Sequence, residues 1–397
     1  MRPAVLACTL ASMLPLIACT ASTDEGDVTT DADEAELAGN AKKINIGFNA
    51  GFQEQLQYLP DFNTKTSIHP GPRLCHEYVD WRVAEGAGSK NANLVAEFNK
   101  LGSWLGAAQG VCDEALISFK STATAAAPSV SRFETDFKLF LDTDWKTITG
   151  FEGTMSFTAW NEPNNPEEPG NGLGVVIEPE TAAGYWLAAS RQCKLHGGCK
   201  VAAGDFASNG NWWNAYEQNC KDDTVAPKDL CNTLSDVADK GAKASYLDRY
   251  KNFIVNHVTD YGFGKSFKPE YFAFHGWHDA NMYLKDHDHA SDYDTSVVRR
   301  VLRSLQGGWG GAKIWDTEVG VDQSATDTID DDEQACGAAF LLRLHAISPR
   351  IERMYYTRLH NGGDKGGALL DGKNLRPAGK VLAERKTSYT FKGGKCK

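Results

Sequence analysis

EALISFK at residues 114–120 and TMSFTAW at residues 154–160 flank a helical pattern over residues 129–142. Both flanking runs are short, rich in apolar and aromatic residues, and bounded by polar or turn residues, as is typical of strands. Between them, Phe133 and Phe137 recur at helical spacing. The stretch therefore predicts a strand–helix–strand unit, in which the two strands are parallel and the crossover is right-handed.

The same alternation continues on both sides of this unit. The further strand candidates are INIGFNA (44–50), RLCHEYV (73–79), KVAAGDF (200–206), YFAFHGW (271–277), AKIWDTE (312–318) and IERMYYTR (351–358). Helical patterns are predicted over 91–110, 180–193, 245–258, 293–306, 330–346 and 375–387. Eight such units predict an α/β fold, a single-domain (β/α)₈ TIM barrel. A doubly wound sheet is the alternative, and the lack of a glycine-rich dinucleotide fingerprint after the first strand disfavours it.

Composition narrows the class of protein. The 397 residues contain 42% hydrophobic and 23% charged residues, which are ordinary globular values. The net charge of −11 argues against a nucleic-acid partner, because binding to phosphates needs a positively charged surface. Aromatic residues make up 10% of the chain, including ten Trp, which serve equally well in a core or on a sugar-binding surface.

The amino terminus predicts export. Residues 1–18 resemble a lipoprotein-type signal peptide, with an apolar run that is too short to span a membrane. Its end, Leu-Ile-Ala-Cys, implies lipidation of Cys19; an ordinary signal peptide is the alternative. Residues 19–43 are acidic and lack aromatics, so we expect a disordered tether before the barrel at 44–397. The expected location is the cell envelope or the medium, with membrane contact only through the lipid.

Eight cysteines remain after the signal and Cys19 are set aside, and an even number in an exported chain predicts four disulfides. Close spacing favours Cys193–Cys199 and Cys220–Cys231. The pairs Cys75–Cys112 and Cys336–Cys396 then follow by exclusion. The spacings do not fit common zinc sites, so we expect no metal there.

Two strand ends carry a glutamate. Glu162 follows the fourth strand in WNEPNNP, and Glu318 lies at the tip of the seventh in WDTEVG. Active sites of these barrels lie at the carboxyl ends of the strands. Two carboxyl groups there suit glycosidic cleavage, in which one protonates the leaving oxygen and the other attacks the anomeric carbon. We therefore expect the pKa of Glu162 to be raised, by burial or by the charge of Glu318.

At these residues the sequence resembles the clan A glycoside hydrolases, retaining barrels with a catalytic Glu after strands four and seven. The matching motifs are Asn161-Glu162-Pro163, Thr317-Glu318-Val319-Gly320 and His275-Gly276-Trp277. The resemblance implies that Glu162 is the acid/base, Glu318 the nucleophile and Asn161 a ligand of the sugar 2-hydroxyl. It also implies that His275 or Trp277 lies near the nucleophile.

The sequence departs from that pattern in three places. The strand-eight Trp of the clan is absent, and Tyr356 is a weak substitute. Trp277 stands where a Tyr is common. The usual Arg near the second strand is not placed by the sequence, since Arg73 and Arg82 both fit.

Other residues near strand ends are weaker candidates. Trp81, Trp212 and His278 are candidate sugar contacts. Asp205 and Asp316 fit hydrogen-bonding partners better than catalysts, and strand alternation places Asp316 inside the barrel one layer below Glu318. The His/Asp-rich loop KDHDHASDYD at 285–294 fits a solvated loop better than a metal site.

The resulting hypothesis is a monomeric retaining glycoside hydrolase without cofactor, acting on the β-glycosidic bonds of an extracellular poly- or oligosaccharide. A non-catalytic carbohydrate-binding barrel and a metal-dependent hydrolase remain as alternatives.

Overall fold

A computed structural model of the chain describes residues 34–49, 56–60, 62, 71–122, 127–165, 168, 171, 176–208, 246–277, 279, 296–321, 330–357, 368–371, 374–391 and 394–396. Among these residues, no helix is both long enough and apolar enough to cross a membrane.

Eight parallel strands form a closed barrel in the order of the sequence, which confirms the predicted TIM barrel. The strands are β1 (Asn45–Asn49), β2 (Leu74–Asp80), β3 (Glu114–Lys120), β4 (Thr154–Thr158), β5 (Lys200–Phe206), β6 (Tyr271–His275), β7 (Lys313–Val319) and β8 (Ile351–Tyr356). Pairing of β1 with β8 closes the barrel, with Gly47 opposite Tyr355. Short antiparallel pairs follow, β9 (Leu370–Asp371) with β10 (Asn374–Leu375) and β11 (Tyr389–Phe391) with β12 (Gly394–Cys396).

All but the first and the fourth of the following helices lie at predicted places. The helices are α1 (Glu34–Ala41), α2 (Ala92–Ala108), α3 (Val130–Asp142), α4 (Trp145–Thr149), α5 (Pro179–Leu195), α6 (Tyr246–His257), α7 (Val297–Ser304), α8 (Asp331–Ala346) and α9 (Pro377–Glu384). The acidic start of α8 is a capping box, in which Asp330 accepts from the backbone and Glu333 reaches back to it.

Helix α1 differs from our expectation, because it lies within the segment 19–43 that the acidic composition predicts to be a disordered tether. Leu37 and Ala41 are buried against Ala346 at the end of α8, and Asn40 donates to the Ala346 carbonyl at 3.1 Å. Two apolar side chains one helical turn apart thus suffice to hold these eight residues against the barrel.

The strands are buried on both faces, so one set of side chains packs inside the barrel and another packs between the strands and the helices. Inside the barrel, Trp315 and Tyr355 belong to a small apolar cluster, and the buried guanidinium of Arg353 stacks 4.2 Å from the Trp315 ring centre and pairs with Glu114 at 2.5 Å. Outside the barrel, a larger apolar cluster fills the space between strands and helices. The interior is thus packed, and a ligand has access only at an end.

Three disulfides are present among the described residues, Cys75–Cys112, Cys193–Cys199 and Cys336–Cys396, and each confirms a predicted pair. Cys220 and Cys231, the fourth predicted pair, lie outside the described residues.

Candidate active site

Glu162 and Glu318 meet at the carboxyl ends of the strands. Glu162 lies four residues beyond β4, and Glu318 is the second-last residue of β7. One carboxylate oxygen of each and one ring nitrogen of His275 all lie within 4.8 Å of one another. Residues remote in the sequence therefore form one cluster at the barrel mouth.

The backbone at Glu162 is strained. Its φ of 44° lies in the left-handed region, which a non-glycine residue adopts at a cost of about 1–3 kcal/mol. The Glu162 amide donates to the Asp205 carbonyl at 2.9 Å, and Asn171 donates to the Glu162 carbonyl at 2.8 Å. Asn165 donates to the carboxylate oxygen Oε2 at 2.7 Å. These bonds fix both the strained backbone and the side chain.

His275, the last residue of β6, lies fully buried between the two carboxylates. Its Nδ1 is 2.7 Å from Glu162 Oε1 and 3.3 Å from Glu318 Oε2. Its Nε2 faces Asp205 Oδ1 at 3.4 Å, a charge contact longer than an ordinary hydrogen bond. One imidazole ring therefore touches three carboxylates.

Glu318 is held by Tyr78, a residue that sequence reasoning missed. The Tyr78 hydroxyl donates to Glu318 Oε2 at 2.8 Å and accepts from Asn49 Nδ2 at 3.1 Å. A signal was present, because His76 and Tyr78 alternate along β2 and so face the same side of the strand. Arg73 and Arg82, the two arginines weighed for this place, pair instead with Asp113 and Asp80.

A layer of hydroxyl groups lies beneath the two glutamates. Asp205 Oδ2 accepts from Thr158 at 2.6 Å and lies 3.2 Å from the Ser118 hydroxyl, while Thr317 donates to Oδ1. Ser118 also lies 2.8 Å from His76 Nε2, and His76 Nδ1 donates to the Thr317 carbonyl at 3.1 Å. Asp205 therefore has the supporting role expected for it, on a strand that shifts register between Gly204 and Phe206.

The pKa shifts of the two glutamates differ from expectation. Burial acts to raise the pKa of Glu162, but the charge and hydrogen bond of His275 outweigh burial and lower it. Burial raises the pKa of Glu318. Burial alone would lower the pKa of His275, but Glu162, Asp205 and Glu318 together hold it well above its usual value. The expected raised pKa at Glu162 is therefore wrong for the free protein, because a charged imidazole lies against its carboxylate.

The predicted inward direction of Asp316 is also wrong, although the residue is a hydrogen-bonding partner as expected. Its carboxylate points out of the barrel, where it accepts from His345 on α8 at 2.8 Å and from the Gly276 amide at 2.9 Å. The pairing of β6 with β7 skips one residue, so His275 lies opposite Glu318. This bulge lets Thr317 and Glu318 both face the barrel axis, which strict alternation does not allow.

The remaining predicted contacts fall into two groups. Asn161 is 3% exposed, and its Oδ1 has no partner within the described part of the chain. Trp277 is partly exposed and lies against Gly320, just beyond Glu318. Both residues are therefore beside the two glutamates.

Trp81 and Tyr356 are not placed as sugar contacts. Trp81 is 7% exposed, belongs to the outer core, and has the Arg82 and Arg132 guanidinium groups near its ring. Tyr356 is fully buried in the same core, because it has the opposite parity to Tyr355, which points into the barrel. Burial leaves neither ring a free face for a sugar. His278, Trp212 and the loop 285–294 lie outside the described residues.

The cluster of Glu162, His275 and Glu318 also has the spacing of a three-ligand metal site, and it is the one such cluster within the described residues. The 2.7 Å separation of His275 Nδ1 from Glu162 Oε1 is that of a charge-assisted hydrogen bond.

Comparison with known proteins gives relatives by fold. No family model matches the sequence, and no curated protein matches it. A monomeric β-xylosidase from Caulobacter crescentus has a TM-score of 0.52 at 11% identity, covering 86% of this chain and 67% of its own. A GH5_18 protein from Bifidobacterium longum subsp. infantis has a TM-score of 0.50 at 10% identity, covering 86% and 78%.

A glucosidase from Croceicoccus marinus matches with a TM-score of 0.44 at 11% identity over 71% of this chain, which spans about half, 52%, of that protein. At these identities the comparisons establish the architecture: the chain shares its (β/α)₈ barrel with the β-xylosidase and the GH5_18 protein.

Proposed function

We propose that the chain is a retaining glycoside hydrolase that cleaves β-glycosidic bonds of an extracellular poly- or oligosaccharide. The observation that carries the proposal is the approach of Glu162 and Glu318, since one carboxylate oxygen of each lies within 4.8 Å of one of the other at the barrel mouth. Carboxyl groups about 5–5.5 Å apart allow direct attack on the anomeric carbon, whereas inverting enzymes leave room for a water. The glycosidase names of solved structures with this barrel agree with the proposal.

In this mechanism Glu318 is the nucleophile. Its carboxylate attacks the anomeric carbon as the bond to the leaving group breaks, which forms a covalent glycosyl-enzyme. Tyr78 holds Glu318 Oε2 and leaves the other oxygen for the attack. Glu162 protonates the leaving oxygen, then takes a proton from the water that releases the sugar with its configuration retained.

Asn161 supplies a contact to the substrate. Its Oδ1 is buried and has no partner among the residues that the structure describes, and a buried acceptor of this kind costs about 1–3 kcal/mol until a donor reaches it. A sugar hydroxyl beside the anomeric carbon is such a donor. Trp277, partly exposed at the same rim, offers a ring for a sugar face.

Two glutamate variants test the proposal. With 4-nitrophenyl β-xyloside and β-glucoside and a panel of β-glucan, xylan, mannan and galactan, we expect Glu318→Ala to abolish hydrolysis while the fold persists. Glu162→Ala should recover turnover of the aryl glycosides when azide is added, because azide needs no base catalysis. Glu270→Ala, at the amino end of β6, is the matched control and should keep full activity.

Other outcomes would favour the alternatives. Full activity in both Glu318→Ala and Glu162→Ala refutes the proposed roles. Calorimetric binding of one of the polysaccharides without hydrolysis favours a carbohydrate-binding barrel. Loss of activity with a chelator, restored by added divalent metal, favours a metal-dependent hydrolase built on Glu162, His275 and Glu318.

We also propose that the protein is exported, works as a monomer and is held at the cell envelope by lipid on Cys19. Disulfides that join Cys75 to Cys112 and Cys336 to Cys396 suit an oxidising compartment. Cys19→Ser should move the protein from the membrane fraction to the soluble fraction. An unchanged membrane fraction for this variant contradicts the anchor.

A further inference from the structure

Asp205 contacts the machinery of both glutamates. Its carbonyl accepts from the Glu162 amide, its Oδ1 faces His275, and it accepts from Thr317, the neighbour of Glu318. We propose that Asp205 is a positioning residue for acid catalysis: it fixes a proton on His275 Nε2, so that His275 Nδ1 and Glu162 share the proton that the reaction uses. This inference rests on the proposed function.

The first step is the choice of protonated nitrogen on His275. Nε2 is fully buried and has Asp205 Oδ1 as its near acidic neighbour, at 3.4 Å. An ionised carboxylate can only accept hydrogen bonds, so the lone pair of an unprotonated Nε2 would be repelled by the lone pairs of the carboxylate. Asp205 therefore selects the tautomer with hydrogen on Nε2, as the group behind a catalytic histidine does in general.

The second step is that Nδ1 faces acceptors as well. Glu162 Oε1 is 2.7 Å away and Glu318 Oε2 is 3.3 Å away. With Nε2 already protonated, a proton on Nδ1 makes His275 an imidazolium beside an ionised Glu162. If that proton moves to Glu162, the N–H bond breaks, an O–H bond forms, and the ion pair becomes a neutral imidazole and a carboxylic acid. The acid can then protonate the leaving oxygen.

This arrangement accounts for the unexpected state of Glu162. A general acid needs a proton, yet the pKa of Glu162 is lowered in the free protein by its contact with His275. The missing proton is on the imidazole 2.7 Å away. A sugar that covers the mouth excludes water and removes the solvation that favours separated charges, which moves the proton toward Glu162.

The backbone and hydroxyl groups keep Asp205 aimed at His275. Asp205 has a φ of 72°, next to Gly204 with a φ of 94°, where a Cβ would lie 2.5 Å from the Ala273 carbonyl. The strained conformation turns the carboxylate inward, where Thr158 donates at 2.6 Å. Burial alone would raise the pKa of Asp205, but His275 and Thr158 keep it lowered, so the group remains a carboxylate.

The charged and titratable groups around His275 come from β2, β4, β5 and β7, of which β5 and β7 adjoin β6. They are Glu162 after β4, Asp205 on β5, Glu318 and Asp316 on β7, and His76 and Tyr78 on β2. Burial lowers the pKa of His76 to about 3, so it is neutral, and Asp316 is paired with His345. Asp205 is therefore the one carboxylate among these described groups that faces Nε2.

The decisive variant is Asp205→Asn, which tolerates the left-handed φ as aspartate does. Removing the negative charge that faces Nε2 lowers the pKa of the proton shared by His275 and Glu162, so the pair loses this proton at lower pH. We expect the alkaline limb of the kcat/KM profile on the preferred 4-nitrophenyl β-glycoside to shift down by about one unit or more, since an opposite charge within ~4–6 Å shifts a pKa by 1–3 units.

Two further variants separate this role from simple structural support. Asp80→Asn removes another buried strand-end carboxylate, which pairs with Arg82, and should leave the alkaline limb in place. Thr158→Val removes a hydroxyl but keeps the charge of Asp205, so the limb should stay or move to higher pH. A limb that Asp205→Asn leaves unmoved, or that all three variants move alike, overturns the inference.

A second measurement does not depend on activity. In [¹⁵N]histidine-labelled protein, His275 should stay an imidazolium to higher pH in the native sequence than in Asp205→Asn. If the ring of His275 titrates at the same pH in both, the inference fails. Failure of the proposed function would look different, because either the native protein would hydrolyse none of the substrates or Glu162→Ala and Glu318→Ala would keep full activity, whatever the titration of His275.

Discussion

Tyr78→Phe removes the hydroxyl that donates to the nucleophile, together with the bond that this hydroxyl accepts from Asn49. The hydroxyl donates to Glu318 Oε2 at 2.8 Å, and the ring is otherwise unchanged. A hydrogen bond to a charged group contributes about 1.5–3 kcal/mol. Loss of that amount from the ionised form alone raises the pKa of Glu318 by about one to two units, at 1.36 kcal/mol per unit. The acid limb of kcat/KM should shift upward by the same amount.

The sign for stability follows from the same shift. Burial already raises the pKa of Glu318 in the folded protein. The protonated carboxyl therefore contributes stability below the pKa of the unfolded state, and this contribution is lost as the pH rises through the pKa of the folded state. Tyr78→Phe raises that value further. We therefore expect a smaller loss of stability near pH 4, where the carboxyl is protonated, than at pH 7, where the Tm should be lower by about 2–4 °C, at roughly 1.2 °C per kcal/mol for a chain of 397 residues.

Tyr246→Phe is the matched control. The Tyr246 hydroxyl is also buried and also donates at 2.8 Å, but to the uncharged carbonyl of Ile177. Its loss should lower Tm equally at pH 4 and pH 7. Thermal unfolding followed by circular dichroism at both pH values gives the comparison without an activity assay. If Tyr78→Phe lowers Tm by the same amount at both pH values, or leaves the acid limb unmoved, the reasoning about Glu318 is refuted.

Three further variants test features around the site. Asp279 accepts from the amides of Val297 and Val298, and burial raises its pKa to about 6, so its stability contribution is lost as the pH rises through 6; relative to the native sequence, Asp279→Asn should be more stable at pH 7 than at pH 4 by urea unfolding, and a pH-independent difference contradicts this. Gly276→Ala places a Cβ 2.1 Å from Asp316 Oδ2, so it should reduce both stability and activity, whereas Gly39→Ala, which has open space, should not; a native Tm for Gly276→Ala contradicts the close approach. Opening the 37-residue Cys75–Cys112 loop with Ser at both positions should destabilise by about 4 kcal/mol, and an unchanged denaturation midpoint contradicts that value.

The sequence predicted the architecture because the strands are short and buried on both faces, which leaves continuous apolar runs such as EALISFK and KVAAGDF. Glu162 and Glu318 were also found from sequence, since strand order places their strand ends at one rim, and His275 was found from the resemblance to the clan A glycoside hydrolases. Of the confirmed disulfides, Cys193–Cys199 followed from close spacing, and Cys75–Cys112 and Cys336–Cys396 followed by exclusion.

The failures have one main physical cause. Register shifts in β5 and β7 change which side chains face inward, and nothing in the residue types of Gly204–Phe206 or Asp316–Val319 reveals them. Asp316 was therefore placed on the wrong side. The lowered pKa of Glu162 depends on a 2.7 Å contact with His275, a distance that residue order does not contain. Tyr78 was missed because an aromatic residue in a strand pattern is first interpreted as part of the hydrophobic core.

Docking of α1 has a consequence for how a lipid-anchored molecule would be oriented at a cell surface. The helix joins β1 at its amino end and lies against Ala346, which precedes the amino end of β8. A tether from Cys19 would therefore join the barrel at the amino ends of its strands, opposite the carboxyl ends that hold the two glutamates. The tether would consist of the fourteen residues 20–33, which span at most about 50 Å when fully extended. An acylated molecule would present its opening outward, toward polymers beyond the surface.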